Sequence, residues 1–322
     1  MNKYNQITVE ERYHIYAYKK AGFCSTEIAQ MLGRHKSAIY RELNRNKGER
    51  GYRPKQAHEK ASQRRQAACK AVKMTPELVK LIESKICEDW SPEQISGWLR
   101  NEHSLTISHE RIYQHIWSDK LKCGNLYKHL RRQGKKYQKR SNGKTSRGQI
   151  KNRVSIDERP AIVDNKIRVG DWEIDTVIGK GHKGALVTLV ERKTLYTLAA
   201  QVDSKHAEPV TKAAINLLTP FLGRVHTITA DNGKEFAWHE EIAKQLKTKV
   251  YFAHPYHSWE RGLNENTNGL LRQYFPKGTN LKYVKQKEVD SVVFKLNNRP
   301  RKTLGYKTPA EMIGRSLSRL AA

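Results

Sequence analysis

Cysteine is scarce and scattered in this chain of 322 residues: Cys24, Cys69, Cys87 and Cys123 stand far apart, and no Cys-x-x-Cys pair occurs. That suits a reducing cytosol and argues against a structural zinc site. No apolar run approaches the roughly 18 to 20 residues of a membrane span, so a membrane partner is not expected. The first residues, MNKYNQITVEERY, lack the apolar stretch of a secretion signal, and a cytoplasmic location is expected. Acidic side chains are few as well, 32 against 61 Lys and Arg, for a formal charge of +29. Such an excess needs a polyanionic partner, and nucleic acid is the default. Hydrophobic residues at 37% can build a real core, and the length predicts two or three units.

Thr8-Val9-Glu10-Glu11 is a capping box that starts a helix over 9–20, with Gly22 suited to its C-terminal cap. Ser25 can cap a second helix over 26–32, ended by Gly33, and a third runs from Lys36 or Ser37 to about Arg45. Ala29, Gly33 and Ile39 fall where a helix-turn-helix needs a small residue, a tight turn and a core anchor. With Ile39 and Leu43 inward, the opposite face carries Lys36, Ser37, Tyr40, Arg41 and Asn44, which can reach base edges and phosphates in a major groove. A plain three-helix bundle with a solvated face is the blander reading, and the basic context favours DNA. Residues 48–73 read as a linker or a frayed helix. A second helical region follows, with apolar faces at Leu78, Leu81, Ile82 and Ile86, at Ile95, Trp98 and Leu99, and at Ile112, Tyr113, Ile116 and Trp117. It is either a second helix-turn-helix or a spacer or dimerising bundle.

Between Lys120 and Ile156 there is no acidic residue, and residues 128–153 hold eleven Lys or Arg with no apolar period. That composition cannot fold alone; it is a linker suited to tracking a phosphate backbone. After Asp164 the texture changes. Runs at 171–178, 185–190 and 195–202 read as an antiparallel meander. A helix over 208–218, a strand over 225–230, a helix over 238–246 and a strand over 250–253 follow, which together imply a mixed sheet flanked by helices. The chain is therefore multidomain: an all-α helix-turn-helix region at 1–47, a second helical region at 48–127, a basic linker at 128–163, and an α/β domain at 164–322 that ends in a helical tail.

The α/β part carries three acids in unlike settings. Period-two alternation puts Asp171, Glu173 and Asp175 on one face of a strand. On a central strand they repel, so burial needs a cation; the plainer reading is an edge strand with a solvated acidic face. Asp231 closes a β-rich run before Asn232-Gly233, a strong hairpin signal, and alone is a turn residue. Glu265 lies in the first turn of a helix whose Leu263, Leu270, Leu271 and Tyr274 form the buried stripe, and the helix dipole favours an acid there whatever its role. Brought together by a sheet and a helix, three such acids are what a two-metal phosphodiester site requires.

Trp172-Glu-Ile-Asp175-Thr176 resembles the first-strand motif of the retroviral-type integrase core, in which Trp precedes the catalytic Asp by three. Asp231-Asn-Gly-Lys-Glu-Phe236 resembles the second motif, and the thirty-three residues between Asp231 and Glu265 match the usual spacing of such DDE enzymes. Arg272, seven positions after Glu265, stands where the family often carries Lys or Arg. The segment from Trp259-Glu-Arg-Gly262 through Asn264-Glu-Asn-Thr-Asn-Gly269 to Gln273-Tyr-Phe-Pro-Lys-Gly278 is similar to transposases of the insertion-sequence-thirty family. Residues 7–46 resemble that family's helix-turn-helix, and Asn298-Arg299-Pro300 through Thr308-Pro309 resembles the end of integrase-type cores.

The resemblance implies a ribonuclease-H-like core with Asp175, Asp231 and Glu265 as catalytic metal ligands for two Mg2+ ions, with Mn2+ as a substitute. It implies a transposase that recognises terminal inverted repeats in double-stranded DNA, nicks at the element ends, joins the 3′-OH to target DNA, and acts as a homo-oligomer. Ions about 3.5 to 4 Å apart clamp a scissile phosphate, and carboxylates suit so hard a cation. Arg272 would grip the backbone near the site, or serve only solubility. Glu173 could contest or assist ligation at Asp175, and Glu260 competes for the third place. His254-x-x-His257 can hold a metal, although such a pair more often contacts DNA or packs. Two other activities stay open: a non-catalytic DNA-binding regulator, and a ribonuclease-H-type nuclease acting on RNA, which explains the core but not the helix-turn-helix.

Overall fold

The computed structural model describes residues 6–68, 73–131, 150–255 and 257–318. The chain forms two compact units, Met1–Lys73 and Met74–Ala322. In the first, helices α1 (Val9–Lys20), α2 (Ser25–Met31) and α3 (Lys36–Asn46) pack Ile15, Ile28, Ala29, Ile39 and Leu43 together. The Thr8 capping box forms as expected, and Gly33 takes the tight turn at φ +60°. Cys24 rather than Ser25 occupies the cap position of α2, because Glu27 Oε2 accepts the Cys24 backbone N–H at 2.7 Å. A buried ion pair joins α1 to α3: Arg12 Nε and Nη2 donate to Glu42 at 2.7 and 3.2 Å, and Tyr52 Oη donates to the same carboxylate at 3.2 Å.

Residues 48–73, expected as a linker or frayed helix, instead contain a regular fourteen-residue helix, α4 (Pro54–Ala67). Only Pro54 and Ala57 of it are buried, so no apolar stripe announces it. Cations hold it in place. Lys60 Nζ donates to Lys47 O at 2.9 Å, and Arg64 Nη2 donates to Arg45 O and Asn46 Oδ1 at 2.9 and 2.8 Å, which caps the last carbonyls of α3.

In the second unit, α5 (Pro76–Cys87), α6 (Pro92–Glu102) and α7 (His109–Leu121) close around Leu78, Ile82, Ile86, Ile95, Leu99, Ile112 and Ile116. Trp117, expected on the apolar face, is 39% exposed. A six-stranded sheet follows, in the order β1-β6-β5-β2-β3-β4. Strands β2 (Asp171–Ile178), β3 (Ala185–Glu191) and β4 (Thr197–Val202) are the antiparallel meander, while β5 (Thr227–Ala230) and β6 (Lys249–Phe252) join parallel to β2. Helices α8 (Ala207–Leu218) and α9 (His239–Leu246) cover one face over Trp172, Ile174 and Leu189. Helices α10 (Gly262–Tyr274) and α11 (Gln286–Asn297) cover the other over Val177 and Leu186, and α12 (Pro309–Ser318) ends the described chain.

Two expectations are corrected. Residues 150–163, assigned to the basic linker, belong to the sheet domain: Ile150 is in its core, and β1 (Val154–Ser155) pairs parallel with β6. The central linker residues 132–149 lie outside the described residues. Asn232-Gly233 makes no hairpin either, since α9 carries the chain across to a parallel strand. Asn232 Nδ2 instead donates to Ala253 O at 2.5 Å, tying the ends of β5 and β6 together. The helical bundle docks on the tail of the sheet domain. Asp89 lies 2.9 Å from His129 Nδ1, accepts from Tyr274 Oη at 3.0 Å and from Lys295 Nζ at 3.3 Å, and Gly97 leaves room for the ring of Tyr306. Among the described residues no helix is long and apolar enough to cross a membrane.

Candidate active site and DNA interface

Strand β2 is central, not an edge, so its acidic face is covered by α10 and α11, and the required cations turn out to be arginines. Asp171 and Glu173 are each 1% exposed. Asp171 is held by Arg168 through two bonds of 2.9 Å and by Thr227 Oγ1 at 2.7 Å. Burial pushes the Glu173 carboxyl up, opposed by Arg192, whose Nη1 donates to it at 2.5 Å. The Asn264 N–H donates to its second oxygen at 3.3 Å. Glu173 is thereby committed to structure and does not line the cleft where Asp175 lies.

Asp175 and Asp231 come together under one guanidinium. Arg261 Nη1 lies 3.5 Å from Asp175 Oδ2, and its Nη2 lies 3.4 Å from Asp231 Oδ2. The remaining contacts fix the two rotamers: Thr176 N and Asn268 Nδ2 donate to Asp175 at 2.8 and 2.9 Å, and Gly233 N donates to Asp231 at 2.8 Å. A fourth acid stands nearby, Glu235, which accepts from Thr176 Oγ1 at 3.1 Å. Burial, with Asp231 and Glu235 adding to it, pushes Asp175 up to about 6 against the pull of Arg261 and the Thr176 N–H.

Glu265 opens onto the same cleft as Asp175, a cavity of about 550 Å³ also lined by Arg261, Asn268, Arg272 and Lys277. The rotation of α10 puts it there. Its buried face is Asn264, Thr267, Leu270 and Leu271, with Leu263 only half-buried, so the inward stripe begins one residue later than the leucine pattern predicts. Asn264 is buried and its backbone N–H reaches Glu173, while Glu265, the next residue, is exposed and opens onto the cleft and Asn268, one turn on, reaches Asp175. Arg272 lies on the cleft wall, yet its guanidinium donates to Ile178 O at 2.7 Å and Phe275 O at 3.4 Å, tying the end of β2 to that of α10. Glu260, the rival for the third place, is turned to His254 and His257 instead.

Carboxylate oxygens on Asp175, Asp231 and Glu265 are the donors a hard divalent cation takes, and the guanidinium spanning two of them marks a place where positive charge is required. Asp175 and Asp231 fit such an ion, and Glu265 opens onto the same cleft from α10. Arg261, Asn268 and Glu235 escaped the sequence reading. Asn268 was within reach of it, three residues beyond Glu265 on a helix, as was Glu235, four beyond Asp231.

On α3, Lys36, Tyr40, Arg41 and Asn44 are exposed, Tyr40 by 62%, opposite buried Ile39 and Leu43. Ser37 is half-buried, and its hydroxyl is taken by His35 Nδ1 at 2.8 Å and Arg41 Nη2 at 3.4 Å.

Comparison with known proteins bears on both halves. Residues 3–46 match a helix-turn-helix domain model, and residues 165–258 match the integrase core domain, a match that stops short of Glu265. The transposase for insertion sequence element IS4351 of Bacteroides fragilis is 49% identical over 95% of this chain and 94% of its own. Transposase InsI for insertion sequence element IS30A of Escherichia coli is 39% identical over 97% of this chain and 84% of its own. Among solved structures, the catalytic core domain of BIV integrase is similar at 20% identity and a TM-score of 0.38, covering 48% of this chain and 99% of that one. The chain belongs to the IS30 family of insertion-sequence transposases, DNA-binding enzymes whose integrase core cleaves and transfers DNA strands with divalent metal.

Proposed function

We propose that this transposase reads the terminal inverted repeats of its element with the exposed face of α3 and cuts and joins strands at Asp175, Asp231 and Glu265, which hold two Mg2+ ions or, in their place, Mn2+. The observation that carries the reading is the Arg261 guanidinium, 3.5 and 3.4 Å from the two aspartates. No packing need brings those carboxylates together, and without a cation between them they repel. Bound divalent ions supply Lewis-acid activation of the attacking water or 3′-OH and stabilise the leaving oxygen. Asn268 and the Thr176 N–H hold Asp175 in the rotamer that faces the cleft. Arg261, Arg272 and Lys277 give the cleft wall positive charge for the DNA backbone. On α3, Lys36 and Arg41 suit phosphates, Asn44 suits a base edge, and Ser37 and Tyr40 complete the contact face. A homo-oligomer is the acting form, because two element ends must be processed together.

The test is a supercoiled plasmid carrying the element with its native flanks, treated with purified protein in Mg2+ or EDTA. Metal-dependent 3′-OH nicks or joined products at the ends are expected for the natural protein. Glu265→Gln should retain DNA and break no strand; cleavage at the natural rate in Glu265→Gln or Asp231→Asn refutes the assignment. Retarded DNA with no broken strand under any metal would favour a binding regulator.

A further inference from the structure

We propose that His254, His257 and Glu260 form a second metal site, for Zn2+, outside the catalytic cleft. His254 Nδ1 lies 2.8 Å and His257 Nδ1 lies 3.2 Å from one oxygen, Glu260 Oε1. A tetrahedral zinc ion with bonds of about 2.0–2.1 Å has donor-to-donor edges of roughly 3.3 Å, so these separations already approach that shape. The donors differ in kind from those of the cleft: two imidazoles and one carboxylate select a borderline transition ion, whereas an all-carboxylate set selects Mg2+.

A second observation points the same way. The far nitrogen of His254, Nε2, lies 2.9 Å from Asp157 Oδ2, just beyond β1. A histidine held by a carboxylate at one ring nitrogen has its tautomer and orientation set for a metal at the other. Glu260 is oriented too, since its other oxygen accepts the His254 backbone N–H at 2.8 Å. The side chain of His257 is 43% exposed, which leaves a fourth position for water. An ion here would close the connection from β6 to α10 into a rigid loop and pin it to Asp157. The next residue is Arg261, and Glu265 follows one turn later, so the zinc would set the position of both. The site stands on its own geometry and does not depend on the transposition reading.

The experiment uses full-length protein stripped with chelator and titrated with Co2+, the coloured stand-in for Zn2+, in excess Mg2+ that occupies the carboxylate site. One Co2+ per chain is expected, with visible absorption of a low-coordinate site that Zn2+ abolishes. Asp231→Asn should bind as the natural protein does, and His257→Ala should not bind. Asp157→Asn, whose site is exposed and whose fold is not at risk, should weaken binding about 10- to 100-fold. No uptake, uptake that survives His257→Ala, uptake that Mg2+ displaces, or equal affinity in Asp157→Asn each overturns the proposal; the first two would leave hydrogen bonding alone as the reason for the cluster.

Discussion

Replacing Asp175 with Asn should stabilise the metal-free protein at neutral pH, although the change removes a proposed ligand. Burial and the neighbouring acids lift the Asp175 carboxyl from its ordinary 3.8 to about 6 in the folded chain. Two units at about 1.4 kcal/mol each set a ceiling of about 3 kcal/mol on the cost of keeping it ionised. The folded value lies above the unfolded one, so the cost is absent below about pH 4, grows as pH rises through 4 to 6, and is complete above about 6. Two corrections lower the gain from Asn. The Asp175 side chain is 21% exposed, so solvent screens it in part, and the new amide would face the Asn268 amide that now donates to Asp175. About 1–2 kcal/mol should remain, or roughly 2–8 °C in melting temperature for a unit of this size. Thermal unfolding in EDTA at pH 8 and at pH 4.5 reads it directly. Mg2+ should then raise the melting temperature of the natural protein and much less that of Asp175→Asn. A variant no more stable than its parent at pH 8, or equally favoured at pH 4.5, would refute the argument that uncompensated charge sits in this cleft.

Other consequences are as direct. Glu42→Ala leaves Arg12 buried without its carboxylate and should cost the first unit about 3–5 kcal/mol, measured as lost amide-exchange protection in α1 to α3; a cost below about 1 kcal/mol would mean the pair is solvated. Arg41→Ala should weaken DNA retention alike for every sequence and lower the salt slope by about one, whereas Asn44→Ala should relax preference at one base by about 1–3 kcal/mol. Gel retardation over a salt series with matched and mismatched sites separates the two. Gly97→Ala places a β-carbon 2.2 Å from the Tyr306 ring and should destabilise the second unit by about 1–3 kcal/mol, despite the better helix propensity of alanine. Stabilisation instead would show that α6 does not dock on the tail in this way.

Sequence made the elements legible wherever the stabilising interaction is local or periodic. The Thr8 capping box, the meander, and the alternation that puts Trp172 and Ile174 opposite Asp171, Glu173 and Asp175 all need only neighbours along the chain. Helix α4 was illegible because lysine and arginine hold it against the carbonyls of α3, and a polar helix shows no period. Strand β1 is two residues long inside a basic segment, too short for any pattern. In the site, the motifs brought out Asp175, Asp231 and Glu265, but Arg261 and Asn268 depend on how α10 is rotated, and the leucine spacing set that rotation one residue early.

The acids of β2 show why this limit is physical. Alternation put three acids on one face, whose burial needs positive charge, and the structure supplies Arg168, Arg192 and Arg261, which follow or precede their partners by 3, 19 and 86 positions. Nothing along the chain says which arginine answers which acid, since only the fold sets those distances. The three pairs are also unequal. Arg168 and Arg192 neutralise carboxylates that are 1% exposed, where no ion can enter, and so serve stability. Arg261 is shared between two carboxylates that are about a fifth exposed, at the margin of an open cleft. One strand face therefore needs the same charge compensation three times, and its third acid is the one that the proposed site would hand from the arginine to a metal ion.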